Sequence, residues 1–340
     1  MRATLPTAIP IIVKRSLLGA ALLSMSIGPL SPPAVAQSSE HAIPQQLVDA
    51  LHRVFGDHHV RAVHAKGIVL EGHFMPAPEA RSLSKASVFA GGPFPATIRF
   101  SDFTGLPNIP DNSPNTRPQG LAIKIQLSDG STTDIVNHSF NGFPVADADE
   151  FRDLILALAA SGPEAAKPTA LDKFLESHPV AKTFLTTQKP PPISFATLSY
   201  FGVNAFKFTD AAGKSNFVRY RFIPKAGEQF VPAAEIEARG ADYLQEEIRT
   251  RLTKGPAEFE WFAQISGQGD KIDDPSIAWP EERQLVKLGT LTVERVEQDQ
   301  SALEKASLFL PSNVPAGIEP ADPMIGIRSA AYAVSFSGRQ

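Results

Sequence analysis

A single α+β domain built on a large, mostly antiparallel β-sheet is the fold class that the sequence predicts. Three observations predict it. Stretches that alternate apolar and polar residues recur along the chain, separated by intervals with helical periodicity. The 30 Pro and 23 Gly imply many turns and argue against a helical bundle. Several strand candidates lie far apart in sequence, which is compatible with a closed barrel. With 43% apolar residues over 340, the chain can bury a sizeable core.

Residues 1–36 read as a secretory signal peptide rather than as part of the fold. Arg2, Lys14 and Arg15 give a basic start, an apolar run follows from Ser16, and Ala34-Val35-Ala36 suits a small-residue cleavage site. Cleavage there leaves residues 37–340 as one domain. It also removes three positive charges from a chain of net charge −4. An acidic, exported protein is expected to be periplasmic or secreted, with no stable membrane anchor after cleavage and no affinity for nucleic acid.

Leu47, Val48, Leu51, Val54 and Phe55 share one face of a helix over 44–55. Residues 60–74 alternate like a strand that contains His64. Further strands are expected at 96–101, 119–127, 134–137, 204–209, 217–223, 258–265 and 287–296, with a long Pro/Asn/Asp-rich loop at 101–118. Helices are expected at 147–160, 171–187 and 232–252. The last 20 residues read as a helix that Asp322 caps and Pro323 opens.

The chain has no cysteine. That excludes disulfides, zinc thiolates, iron–sulfur clusters, thiol nucleophiles and covalently attached haem. There is no phosphate loop, dinucleotide fingerprint, zinc-protease helix or serine elbow. Of eight histidines, His41, His58, His59 and His178 read as surface residues, while His64 and His138 stay open.

Seven ordered segments carry a resemblance to a family. Arg61-x-x-His64-Ala65-Lys66-Gly67 resembles the distal strand of the haem catalases, and Ile98-Arg99-Phe100-Ser101 their next distal strand. Arg117 to Lys124, Asn204 to Phe208, and Trp279-Pro280 with Lys287-Leu288-Gly289 resemble later segments. Asn313-Val314-Pro315-Ala316-Gly317-Ile318-Glu319-Pro320 is a near match, and Arg328-x-x-x-Tyr332 matches the proximal helix. The resemblance spans about 44–336, and the short chain is most similar to the small exported catalase-related peroxidases of bacteria.

The resemblance implies a catalase-like antiparallel barrel with surrounding helices and a b-type haem held between barrel and C-terminal helix. It implies that Tyr332 is the iron ligand, bound as phenolate with Arg328 beside it. His64 would be the distal acid–base, Ser101 its hydroxyl partner, Arg61 and Arg99 the partners of the haem propionates, and Phe151 a channel residue. On periodicity alone, Tyr332 would be a helix-rim tyrosine, and Arg61 and Arg99 would be barrel-edge arginines. The distal asparagine of the family is missing: an ungapped register puts His138 there, a short gap puts Asn141. The implied activity is a peroxidase that uses hydrogen peroxide or an organic hydroperoxide and a small organic electron donor, with weak catalase activity. The alternative is a catalase-fold protein that binds haem or rearranges lipid hydroperoxides with little turnover.

Overall fold

The structure is a computed structural model that describes residues 42–340; the signal segment lies outside the described residues. Nine strands form one antiparallel sheet. They are β1 (Gly67–Pro76), β2 (Phe94–Ser101), β3 (Gly120–Gln126), β4 (Thr132–His138), β5 (Tyr200–Thr209), β6 (Ser215–Pro224), β7 (Ala257–Ile265), β8 (Leu285–Val296) and β9 (Ile318–Pro320). The order β4-β3-β2-β1-β8-β7-β6-β5 closes on itself where His138 of β4 pairs with Phe201 of β5. Eight strands therefore make a barrel, and β9 adds to β5 outside the closure. Closure removes the exposed edges that an open sheet of this size would carry.

Strand alternation gives the barrel two faces. Ile68, Ile98, Phe100, Ile123, Ile135, Phe208, Phe222, Phe259 and Trp261 point inward and are buried. The many phenylalanines have their reason here. Phe100 stacks on Phe195 at 5.3 Å between ring centroids, and Phe222 on Trp261 at 5.4 Å. Each such ring contributes roughly 2–3 kcal/mol by leaving water.

The outer face of β2, β3 and β4 is also buried, because helices cover it. These are α1 (Ala42–Phe55), α2 (Ala148–Ala159) and α7 (Met324–Ser337). Leu47, Val48, Leu51, Ala148, Ile155 and Ala331 form a second apolar core between them. Short helices α3 (Ala170–Ser177), α4 (Pro179–Thr186), α5 (Tyr243–Leu252) and α6 (Gln300–Ala306) complete the α-helices among the described residues. No helix among the described residues is long and apolar enough to cross a membrane.

Three expectations need correction. His64 is not inside a strand, since β1 begins only at Gly67. Its φ is +57°, a left-handed conformation. The backbone N–H groups of His64 and Ala65 donate to Phe103 and Thr104 of the neighbouring loop, so they are lost to the sheet. The helix expected at 171–187 is two helices. A residue before proline is pushed out of the helical region; His178 sits at ψ 75°, and Pro179 opens α4. The helix expected at 232–252 is a short turn, Ala233–Ala238, followed by α5, with Gly240 in the break.

Candidate active site

Three adjacent strands place three residues in one row. Ser101 of β2 pairs with Gly120 of β3, and Gly120 pairs with His138 of β4. Directly paired residues share a face, here the outer one. Gly120 is necessary in the middle: a Cβ there would lie 2.5 Å from Ser101 Oγ and 2.9 Å from His64 Nδ1. The His64 ring occupies the space that the missing side chain leaves.

His64 is held from several sides. Ser101 Oγ lies 3.1 Å from Nδ1, the Asp102 carbonyl accepts from the ring, and Phe103 packs edge-on at 5.5 Å. Arg99 Nη2 donates to the His64 carbonyl at 2.9 Å, which fixes the left-handed backbone. With Nδ1 engaged, Nε2 is left for the cavity. Burial, and secondarily the positive potential of Arg99, lower its pKa to about 3, so the ring is neutral at ordinary pH.

The two candidates for the missing asparagine separate cleanly. His138 is buried and lines the same cavity as His64. Asn141 donates from Nδ2 to exposed Glu281 at 3.0 Å and is not part of the cavity wall. Asn137 points the other way, in register with Leu121 of the inner face.

Across the cavity, α7 presents Tyr332. Arg328, one turn earlier, donates to its hydroxyl oxygen from Nη2 at 2.8 Å and from Nε at 3.3 Å. Arg328 Nη1 donates to Asn204 Oδ1, and Asn204 Nδ2 donates to Asp322 Oδ2 at 2.7 Å. Asp322 Oδ1 accepts from Met324 N–H at 2.9 Å, the capping expected of it. Asn204 is thus a third member of the tyrosine's support. The other three tyrosines are consumed elsewhere. Tyr200 donates to the Phe195 carbonyl, Tyr243 to the Pro192 carbonyl, and Tyr220 is packed inside the barrel, where burial pushes its pKa up.

At one end of the cavity Arg61 and Arg99 both pair with Glu304 of α6. Arg99 Nε lies 2.8 Å from Oε1, and Arg61 Nη1 contacts Oε2. Arg339 reaches into the same cluster, and two of its buried nitrogens, Nε and Nη1, have no partner. Arg339 and Glu304 were not singled out from sequence. Arg339 had a signal, since it lies seven residues, two helical turns, after Tyr332; Glu304 had none. Phe151 lines the cavity from α2 and packs against Phe143 at 5.0 Å.

The cavity is therefore a slot between the outer face of β2–β4 and the helices α1, α2 and α7. Its walls are mostly apolar, with His64, Ser101 and His138 on the barrel side, Tyr332, Arg328 and Ser335 on α7, and the arginine cluster at one end as the main polar groups. Three guanidinium groups against one carboxylate leave positive charge unmatched. A flat, apolar group with two carboxylates and a metal that accepts an anionic oxygen ligand fits this donor set.

Comparison with known proteins agrees with the geometry. The model of the catalase family matches residues 47–339. The chain is 34% identical over 303 residues to a catalase-related peroxidase of Synechococcus elongatus, covering 87% of this chain and 88% of that one. It is 35% identical over 301 residues to a catalase-related peroxidase of Mycolicibacterium paratuberculosis, covering 87% and 94%. A solved bacterial catalase superposes with a TM-score of 0.72 at 23% identity, covering 93% of this chain and 63% of that one. A solved fungal catalase gives 0.71 at 19% identity, covering 95% and 66%. The chain thus spans about two-thirds of those catalases, whose likeness speaks for the fold. Fold and site together define a catalase-type barrel, and the chain belongs to the catalase family, whose members bind haem.

Proposed function

We propose that the protein is a haem-dependent peroxidase that reduces hydrogen peroxide or an organic hydroperoxide and oxidises a small organic donor. One observation carries the reading: a neutral imidazole, His64, and an arginine-bound tyrosine, Tyr332, line one cavity from different elements. Tyr332 would ligate the iron of a b-type haem, and Arg61, Arg99 and Arg339 would hold its propionates. When bound, haem supplies the electrons that break the O–O bond, and the organic donor restores them.

The chain's own residues do the rest. Arg328 places two N–H donors on the Tyr332 oxygen, which favours phenolate over phenol. Asn204 and Asp322 keep that guanidinium in place. His64 Nε2 takes the hydroperoxide proton and returns it to the departing oxygen, so that an alcohol or water leaves instead of an oxyanion. Ser101 and the Asp102 carbonyl hold the ring in orientation for both transfers. The apolar walls formed by Leu47, Phe151 and Phe336 keep bulk water away.

Purified protein loaded with haemin should show a Soret band and oxidise an aromatic donor with peroxide. His64→Ala should retain the band and lose about 100-fold or more in turnover. Unchanged turnover in that variant overturns the acid–base role. Tyr332→Phe should lose or spectrally alter the haem, and an unaltered spectrum refutes the ligand assignment. Export to the periplasm or the exterior is part of the same reading and rests on residues 1–36. Intact mass of protein from the periplasmic fraction should correspond to cleavage after Ala36.

A further inference from the structure

We propose that His138 is a second catalytic residue, a hydrogen-bond donor that holds one oxygen of the hydroperoxide while His64 takes the proton from the other end. The proposal rests on the peroxidase reading above and assigns to this chain a donor–acceptor pair made of two imidazoles.

The argument starts from one contact. The backbone N–H of Phe140 donates to His138 Nδ1 at 3.3 Å. That nitrogen must therefore carry a lone pair, and in a neutral ring the proton sits on Nε2. Nε2 is buried and has no protein partner. A buried, unpaired N–H is costly unless something in the cavity accepts from it.

The ring also stays neutral. Burial is the main cause, and the positive charge of Arg328 adds to it; together they lower the His138 pKa to about 3. Its environment is otherwise aromatic, with Phe184 edge-on at 6.3 Å. His138 can therefore donate one hydrogen bond from Nε2 and accept none there.

His64 is complementary. Ser101 Oγ lies 3.1 Å from its Nδ1 and the Asp102 carbonyl accepts the ring's proton on that side, so Nε2 offers a lone pair to the same cavity. Register brings the rings together, because Gly120 lies between Ser101 and His138, and the His64 ring rests on Gly120. One nitrogen accepts and the other donates. A hydroperoxide, R–O–O–H, presents a matching O–H donor and an acceptor oxygen one bond away. No net charge is created at the site by holding it.

The test uses fluoride as an acceptor-only probe on the haemin-loaded full-length chain, titrated by absorption. His138→Phe keeps an aromatic ring and removes the donor. Fluoride affinity should fall about 10-fold or more, and His138→Asn, which restores an N–H, should recover most of it. Unchanged fluoride affinity in His138→Phe, with the Soret band intact, overturns the proposal and leaves the peroxidase reading standing. A wild-type protein with no Soret band overturns both. If His138→Phe does not fold, 15N spectra of the wild-type imidazoles decide. Protonated Nε2 and unprotonated Nδ1 at neutral pH support the proposal. The opposite tautomer or a charged ring refutes it.

Discussion

Glu304 makes the arginine cluster a site of competition. Its carboxylate already satisfies Arg61 and Arg99, so a dianionic group entering there must displace it or share both forks. Glu304→Gln should therefore act in opposite directions. The haem-free protein should lose roughly 3 kcal/mol, since uncompensated buried charge remains. Haemin should at the same time bind more tightly. Urea midpoints and Soret titrations read the two effects, and a weaker haemin affinity would count against competition. Asn204 offers a second test. Asn204→Leu leaves Arg328 and buried Asp322 short of partners and should cost about 1–3 kcal/mol in urea unfolding. Most of this chemistry was legible in sequence only through ordered motifs. His64, Ser101, Arg328 and Tyr332, which those motifs single out, line one cavity in the structure. The left-handed backbone of His64 was not legible, because a tertiary hydrogen bond to Phe103 overrides local alternation. Nor was Glu304, whose position depends on α6 folding back across β1 and β2.

Elements were read best where one face is buried. The barrel strands β2 to β8 lie within a few residues of their expected bounds, because alternation reports directly on the inside and outside of the barrel, whereas β1 begins seven residues later than its alternation suggests. The three-residue β9 carries no period and was invisible. Helices were overextended where apolar spacing continued across a break, as at His178-Pro179 and Gly240. The start of α3 shows what does fix such a boundary. Thr169 Oγ1 accepts from Asp172 N–H at 3.1 Å, and Asp172 Oδ2 accepts from Thr169 N–H at 2.8 Å. None of the α3 residues is fully buried, so the cap is a large share of its stability. Thr169→Ala should cost about 1 kcal/mol locally. Amide exchange in α3 should quicken severalfold while barrel strands remain unchanged; unaltered exchange in α3 would contradict the capping role.

The two cavity histidines give the molecule as a whole a pH-dependent share of its stability. Each takes a proton near 6.5 when unfolded but only at about 3 when folded, since burial excludes the charge and Arg99, Arg61 and Arg328 oppose it. Between those values the unfolded chain binds more protons. Their contribution to stability is therefore full above about 6.5 and declines as the pH falls toward 3. The urea midpoint of the haem-free protein should be lower at about pH 5 than at about pH 7.5. His138→Phe should make that decline shallower; equal slopes in the two proteins would contradict the assignment. The row Ser101–Gly120–His138 has a further consequence for quality control. If β3 slips by one residue, Gln119 or Leu121 takes the place of Gly120, the His64 ring loses its seat, and its neighbours turn to opposite faces. The reactive constellation is consequently all-or-none: a misregistered barrel carries no half-assembled oxidant site into the compartment where the protein works.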